Sequence, residues 1–267
     1  MKTIRQSSLN AFELCMFKGY NEYGDIGQTG KADEEELTNK YARVGIVFHE
    51  VMEYWGINKM EGKSVNLNSL HELLDTKLDN EDKSLFDDEI EIEKYRTSLH
   101  EQLDWTYEKC LCETVSPLGV EVTFALDDLL PDFLTVTGTI DRIDGNMDSK
   151  EVRLGDYKTG KVYTKKELSS NIQATLYSLA FYKMFGFLPK AFDFYFTKHK
   201  KVKTIQITPE FLKNGTERIL SIWYKIKQGE FKPTCENKYF CKNFCNSYSE
   251  CPKFKKIKTN SSWDKIK

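Results

Sequence analysis

Three consecutive β-strand patterns between residues 119 and 158 constrain the fold of this chain more than any other feature. Residues 119–126, 134–144 and 151–158 are rich in Val, Thr and Ile, and the turn-forming sequence G-N-M-D-S joins the last two. Helical patterns precede these strands, and a helix, two further strands and a closing helix follow them. This order predicts an α/β fold in which a mixed β-sheet is flanked by helices.

Helices are predicted on both sides of the strands. Residues 41–55 have the clearest pattern, because their apolar side chains recur at helical spacing and form one stripe: Val44, Val47, Phe48, Val51, Met52 and Trp55. Residues 8–20 are predicted to form a single helix with Ser7 or Ser8 as its N-cap. The length of 267 residues is compatible with one domain covering residues 1–267.

An acidic stretch interrupts this predicted domain. Residues 72–93 contain ten acidic residues and two lysines, and they lie within a helical insertion at about residues 60–113. The acidic residues have no catalytic spacing. We therefore interpret them as an exposed surface that is solvated or faces a partner, rather than as an active site.

Positive charge is concentrated late in the chain. Residues 195–267 contain 17 Lys and Arg against 6 Asp and Glu, a net charge of +11, so the first 194 residues carry −13 and the whole chain −2. A polyanion such as nucleic acid is a natural partner for this surface, and a solvated lysine-rich face is the alternative. The basic residues form two clusters, which are Lys198, Lys200, Lys201 and Lys203, and Lys253, Lys255, Lys256 and Lys258.

Two acidic residues stand out in the last two strand patterns. If the turn centres near residues 147–148, Asp141 faces residue 154 across the hairpin. Because side chains alternate along a strand, Asp156 then lies on the same face as Asp141, at a diagonal offset of about 7 Å between Cβ atoms. Lys158 is predicted to share that face.

Carboxylates that share one face of a buried sheet repel each other unless a cation lies between them. Glu121, on the preceding strand, could join Asp141 and Asp156. Such hard oxygen ligands favour Mg²⁺ or Mn²⁺, and a lysine beside the metal could accept a proton from an attacking water. The alternative is that these acids line a solvated edge of the sheet.

These residues resemble a known family. The sequences G-T-I-D-R-I-D at 138–144 and D-Y-K-T-G at 156–160 resemble the core of the PD-(D/E)XK nuclease superfamily, and they are closest to its RecB/AddB-type exonuclease domains. Ile140 stands where the superfamily name places a proline. The resemblance implies a restriction-endonuclease-like sheet, with Asp141 and Asp156 as metal ligands and Lys158 as the catalytic lysine.

Three further motifs agree with this resemblance. The sequence G-I-V-F-H-E at 45–50 resembles an early motif whose histidine, here His49, is a metal ligand. The sequence Q-A-T-L-Y resembles a motif whose glutamine and tyrosine, here Gln173 and Tyr177, face the DNA and the active site. Glu121 matches the glutamate of the first core strand. Without the resemblance, His49 could be an ordinary helix histidine, and the Gln–Tyr pair a polar fringe of a core helix.

The cysteines suggest a second metal centre. Cys241, Cys245 and Cys251 form a late cluster at 235–251, Cys15 lies early in the chain, and Cys235 is either a rival ligand or a free thiol. Four thiolates can hold zinc or an iron–sulfur cluster, and their spacing does not separate the two. The resemblance extends to AddB-type and CRISPR-associated adaptation nucleases and implies a [4Fe–4S] cluster on Cys15 and the three late cysteines. The late spacing has one residue more than the common family pattern.

Taken together, the resemblance implies a Mg²⁺- or Mn²⁺-dependent deoxyribonuclease of exonuclease type that hydrolyses phosphodiester bonds during DNA repair, recombination or phage DNA processing. It implies single-stranded DNA or duplex ends as substrate, with a helicase or recombination protein as a possible partner. No apolar run reaches 18 residues, so we expect no membrane span and a cytoplasmic protein of a bacterial or phage-infected cell. The alternatives are a non-catalytic DNA-binding scaffold and a zinc-stabilised protein.

Overall fold

A computed structural model describes residues 2–24, 40–132 and 134–254 of the chain. Within these ranges, the strands are β1 (Lys2–Arg5), β2 (Gly119–Leu130), β3 (Leu134–Asn146), β4 (Glu151–Lys158), β5 (Ala191–Phe196) and β6 (Lys201–Gln206). The helices are α1 (Gln6–Leu14), α2 (Met16–Tyr23), α3 (Lys40–Met60), α4 (Leu67–Asp79), α5 (Glu89–Lys109), α6 (Lys165–Leu168), α7 (Ile172–Phe185), α8 (Pro209–Lys227) and α9 (Lys238–Phe244).

The six strands of the described part of the chain form one mixed sheet, as the sequence predicts. β2 pairs with β3 in antiparallel orientation along one edge of β3. On the opposite edge, β1 pairs in parallel with the first part of β3, and β4 pairs in antiparallel orientation with its last part. β5 then adds in parallel to β4, and β6 adds in antiparallel orientation to β5 as the outer strand.

Two hydrophobic clusters stabilise this architecture. The larger one lies between the sheet and helices α1, α7 and α8, and it includes Phe192, Phe194 and Phe196 of β5. The second cluster lies among α3, α4 and α5, and it contains the whole predicted apolar stripe of α3. Tyr157 of β4 belongs to this second cluster, so the acidic helical region packs directly on the sheet. None of the described helices is both long and apolar enough to cross a membrane.

The helix predicted for residues 8–20 is two helices instead. α1 begins earlier, at Gln6 after Arg5, so Ser7 and Ser8 lie inside the helix rather than at its N-cap. Cys15 has an extended backbone, with φ of −161°, and separates α1 from α2. The prediction was wrong here because apolar spacing does not reveal a single extended residue between two helical segments.

The hairpin turn between β3 and β4 lies one residue later than predicted. β3 continues to Asn146, and the side chain of Asn146 accepts a hydrogen bond from the backbone N–H of Ser149 at 2.9 Å. This local contact closes the turn before β4 begins at Glu151. A turn centre that moves by one residue changes each cross-strand partner by two, so the faces of the strands are as predicted but the pairing is not.

Candidate active site

A gap between β3 and β4 places the two predicted aspartates together. Arg142 and Gly155 are the last pair of the ladder, and Asp141 and Asp156 are the next residues along each strand. The two acids therefore lie opposite each other, rather than diagonally offset as the earlier turn position predicts. Where the strands separate, the backbone N–H of Tyr157 donates to Asp141 Oδ2 at 3.1 Å instead of to the neighbouring strand.

His49 reaches this gap from α3. Its Nδ1 lies 3.3 Å from Asp141 Oδ2, and its Nε2 lies 2.9 Å from the carbonyl oxygen of Tyr157. A carbonyl oxygen only accepts hydrogen bonds, so Nε2 must carry a hydrogen. This leaves Nδ1 as the nitrogen that can offer a lone pair to a metal beside Asp141.

Glu121 completes a group of three potential ligands. One donor atom each from His49, Glu121 and Asp141 lies within 4.8 Å of the others. The backbone φ of Glu121 is 48°, in the left-handed region that non-glycine residues rarely adopt, and the ladder of β2 and β3 omits this residue. Such strain costs on the order of 1–3 kcal/mol and is common at functional sites.

Asp156 is held by Lys158 and α7. Its Oδ1 accepts a hydrogen bond from Gln173 Nε2 at 2.5 Å, and Lys158 Nζ lies 2.8 Å from its Oδ2. Gln173 Nε2 also donates to the hydroxyl of Tyr177 at 3.0 Å. Both α7 residues are buried, and Gln173 contacts an acid of the site directly. Their contacts indicate that they orient Asp156.

The buried acids of the site raise one another's pKa values. Burial, and then repulsion by Asp156, raises the pKa of Asp141 from 3.8 to about 6. Burial, and then repulsion by Asp141, also raises the pKa of Glu121, to about 8. Burial by itself lowers the pKa of Lys158, but attraction by Asp156 and Asp141 outweighs it, so the pKa of Lys158 is raised and the amine is protonated in the absence of metal.

The donor set of this site fits a hard divalent metal. The Oδ2 atom of Asp156 is buried and accepts no aligned hydrogen bond from the described residues, despite the nearby lysine. Two carboxylates with raised pKa values and an imidazole with a free Nδ1 surround the same gap. Oxygen ligands with one nitrogen suit Mn²⁺ and Mg²⁺, and a cation would remove the repulsion among the acids.

The four predicted cysteine ligands, and also Cys235, line one pocket. Cys15, Cys235, Cys241, Cys245 and Cys251 surround it together with aromatic side chains. Early and late parts of the chain therefore meet here, and the N–H of Met16 donates to Thr234 Oγ1 at 3.2 Å. Cys235 is not remote from the group, because its sulfur lies 3.0 Å from that of Cys241.

The thiols of this pocket differ in acidity. Burial by itself raises the pKa of Cys15, but hydrogen bonds from the backbone of Lys18 and Cys235 and from Thr234 lower it below its ordinary value. Burial, and then the hydrogen bond and charge of Cys235, raises the pKa of Cys241 to about 12. A site that stabilises one thiolate and crowds others is suited to a multivalent cation, which would remove their mutual repulsion.

The first basic cluster lies at the same end of the sheet as the aspartates. Lys158 pairs with Phe196 on β5, and Phe196 pairs with Lys201 on β6. At a strand spacing of about 4.8 Å, the Cα atoms of Lys158 and Lys201 are separated by about 10 Å. Lys198 and Lys200 belong to the turn that precedes Lys201. In the second cluster, the residues at 255, 256 and 258 lie outside the described part of the chain.

Sequence reasoning missed a buried cation behind the site. Arg142 is only 2% exposed, and it lies on the face of the sheet opposite Asp141. Its guanidinium packs over Trp55 of α3 at 4.5 Å from the ring centroid. The signal was present in the sequence, because an arginine next to Asp141 in an apolar strand must point to the other face.

A comparison with protein families covers almost the whole described chain. Residues 3–252 match the sequence model of the PD-(D/E)XK nuclease superfamily. The matched range contains the proposed ligands of both centres and the basic cluster that begins at Lys198. No curated protein matches the chain.

Proposed function

The chain belongs to the PD-(D/E)XK nuclease superfamily, and on this premise we propose that it is a Mg²⁺- or Mn²⁺-dependent deoxyribonuclease of the RecB/AddB exonuclease type. One observation carries the proposal. The donor atoms of His49, Glu121 and Asp141 converge at the point where Asp141 and Asp156 lie opposite each other, and Lys158 is in contact with Asp156. A scaffold that only binds DNA has no need to assemble all of these groups.

Each residue has a distinct proposed role. His49, Asp141 and Asp156 would hold the metal, and Glu121, whose donor atom lies within 4.8 Å of those of His49 and Asp141, would be an auxiliary acid. A divalent cation bound there would polarise the scissile phosphate and lower the pKa of an attacking water. Lys158 is protonated in the metal-free protein, so we assign it to neutralising phosphate charge in the transition state.

The remaining polar residues position these groups. The backbone of Tyr157 orients Asp141 through its N–H and His49 through its carbonyl oxygen. Gln173 orients Asp156, and Tyr177 in turn is hydrogen-bonded to Gln173. Hydrolysis adds the oxygen of water to phosphorus, breaks the bond between phosphorus and one deoxyribose oxygen, and leaves a proton of the water on that oxygen or in solvent.

The proposed substrate is DNA, bound at least in part by the basic cluster. Lys198, Lys200 and Lys201 lie at the end of the sheet that holds the acids, at a distance that one strand of DNA can span. Lysines contact phosphates without reading sequence, which suits an enzyme that degrades DNA from its ends. A helicase or recombination protein that presents such ends is the proposed partner.

The thiol pocket is proposed to hold a [4Fe–4S] cluster through Cys15, Cys241, Cys245 and Cys251. All four line the pocket, and Cys15 has the lowered pKa expected of a thiolate ligand. The cluster would join the α1–α2 junction to the late segment, away from the acids. Cys235 is close enough to replace one ligand, and zinc is the other metal that four thiolates accept.

The decisive experiment is a cleavage assay on end-labelled linear DNA and on circular DNA, each single- and double-stranded, with Mg²⁺, Mn²⁺ or EDTA. We expect cleavage of linear DNA that requires metal and is lost in Asp156→Asn. The matched control is Asp127→Asn, because Asp127 is an exposed strand residue whose partners are Thr135 and Lys183. DNA binding without cleavage in every metal would favour the scaffold, and cleavage of circles would contradict the exonuclease assignment.

A further inference from the structure

Arg142 makes four kinds of contact on the face of the sheet that is opposite the acids. Its Nε donates to Asp144 Oδ1 at 2.8 Å, and its terminal nitrogens donate to the Tyr157 hydroxyl at 3.3 Å and to the carbonyl oxygen of Cys110 at 3.2 Å. Its planar group lies 4.5 Å from the ring centroid of Trp55. A guanidinium can satisfy these directions at once because its donors form a rigid fork with two flat faces.

These contacts join the same elements that carry the proposed metal ligands. Trp55 lies on α3, which also carries His49, and Arg142 follows Asp141 on β3. Tyr157 lies on β4 between the aspartate and the lysine of the site. α3, β3 and β4 therefore meet at one buried cation, on the face of the sheet opposite Asp141.

Tyr157 connects the two faces. Its backbone N–H and carbonyl oxygen hold Asp141 and His49 on one side, and its buried side chain meets Arg142 on the other. The ladder between β3 and β4 ends just before this residue, so on the β3 side its peptide groups contact Asp141 and His49, while β4 stays paired with β5 on its other edge. The anchored side chain adds a restraint from the opposite face of the sheet, next to Arg142.

We propose that Arg142 is a positioning residue for the metal site, which it acts on through Tyr157 and α3 without touching metal or DNA. This inference rests on the proposed function. A buried ion pair such as Arg142–Asp144 is weak evidence for stability, since apolar replacements are often neutral. A guanidinium is needed at this point because only a fork of donors can contact β3, β4, α3 and the C-cap residue of α5 at once.

The test is Mn²⁺ binding by the full chain, measured from the paramagnetic resonance signal of free Mn²⁺ without DNA. We expect Arg142→Lys to weaken Mn²⁺ affinity about 10- to 100-fold, as loss of groups that orient ligands does. Tyr157→Phe removes only the hydroxyl and should weaken affinity severalfold. For both variants, the cleavage rate relative to wild type should be higher at saturating Mn²⁺ than at low Mn²⁺.

The matched control is Arg153→Lys. Arg153 lies on β4, on the same face as Tyr157, and its Nε donates to buried Asp193 at 2.7 Å, so within the described part of the chain its side-chain hydrogen bonds go to β5 rather than to Tyr157 or α3. This variant should lose thermal stability and retain Mn²⁺ affinity. If Arg142→Lys and Tyr157→Phe bind Mn²⁺ as tightly as Arg153→Lys, the proposal for Arg142 is overturned.

Failure of the proposed function has a different signature. If wild type and Asp141→Asn bind Mn²⁺ equally, the metal site itself is wrong, and the role of Arg142 falls with it. If Arg142→Lys does not fold, Tyr157→Phe decides the question, because it retains the ring and every backbone contact. Unchanged Mn²⁺ affinity in that variant also overturns the proposal.

Discussion

Without metal, the acids of the site should destabilise the protein, and Asp141→Asn should therefore stabilise it. Asp141 is buried opposite Asp156 and lies close to Glu121, so its charge is unfavourable until a cation binds. Asparagine has nearly the same shape, and its carbonyl oxygen can still accept the hydrogen bond from the N–H of Tyr157. A mutation that removes activity should thus raise the melting temperature of the metal-free protein.

The expected size follows from the pKa of Asp141, which is raised from 3.8 to about 6. Each tenfold change in a protonation equilibrium is about 1.4 kcal/mol, so ionised Asp141 costs about 3 kcal/mol of folding free energy. Asparagine recovers part of this cost and loses the attraction of His49. At roughly 2–4 °C per kcal/mol, we expect the variant to melt about 3–8 °C above wild type at pH 8.

The assay is thermal unfolding followed by circular dichroism in EDTA, at several pH values. Because the folded-state pKa of Asp141 is raised, the folded protein binds more protons than the unfolded chain between pH 3.8 and about 6. The contribution of Asp141 to stability therefore falls as pH rises through this window and is constant above it. The advantage of Asp141→Asn should be full at pH 8 and absent near pH 4.

Saturating Mn²⁺ should reverse the order, because a ligand present at 100 times its Kd stabilises the wild type by about 2.7 kcal/mol. Asp127→Asn is the matched control, since hydrogen bonds from Thr135 and Lys183 lower the pKa of Asp127. That variant should not be stabilised at pH 8. An Asp141→Asn variant that melts below wild type at pH 8 in EDTA would refute the reasoning.

Three further predictions concern the lysines and cysteines. The Lys158→Met variant should not cleave DNA but should bind Mn²⁺ at least as tightly as wild type, because the ammonium group no longer competes with the metal for Asp156. Weaker Mn²⁺ binding in a titration would contradict this. Replacing Lys200 and Lys201 with alanine should reduce the slope of log affinity for duplex DNA against log salt concentration by up to about 1.8. Fluorescence anisotropy in EDTA measures this slope, and an unchanged slope would show that these lysines do not contact DNA phosphates. Cys15→Ala should lower the iron content per chain, the absorbance near 400 nm and the melting temperature together, whereas Cys235→Ala should change all three much less. If Cys235→Ala instead has the larger effect on iron content, Cys235 is the fourth ligand.

The main features of the site were predictable because each depends on local sequence. Alternation of side chains along β3 and β4 predicts a shared face for the aspartates and the lysine. This prediction holds even though the turn lies one residue later than expected, because such a shift changes each cross-strand partner by two residues. The separation of the strands at Asp141 was not predictable, since β1 and β4 share one edge of β3 and their division of that edge is set by tertiary structure. For this reason the direct opposition of Asp141 and Asp156 and the role of the Tyr157 backbone appear only in three dimensions.

The helices also combine features that the sequence predicts with features that depend on tertiary contacts. The apolar stripe of α3 predicts its buried face, whereas the break at Cys15 depends on contacts with a segment more than 200 residues away. The burial of Gln173 also depends on packing, because a polar pair at i, i+4 on a helix can face either solvent or a buried acid. A sequence pattern identifies residues that share one face of a helix or strand, whereas the element that packs against that face is determined by tertiary structure.

The pairing of β1 with β3 also has a consequence for how the chain acquires its structure during synthesis. Lys2 pairs with Leu134, and the early thiol Cys15 shares a pocket with thiols at 241–251, so residues 2–15 depend on partners that are made much later. Contacts of such high sequence separation form slowly and leave early apolar segments exposed. The helices α3 to α5, with a hydrophobic cluster of their own, are made in the interval and could collapse first. Expression at low temperature with slowed translation should therefore favour soluble protein.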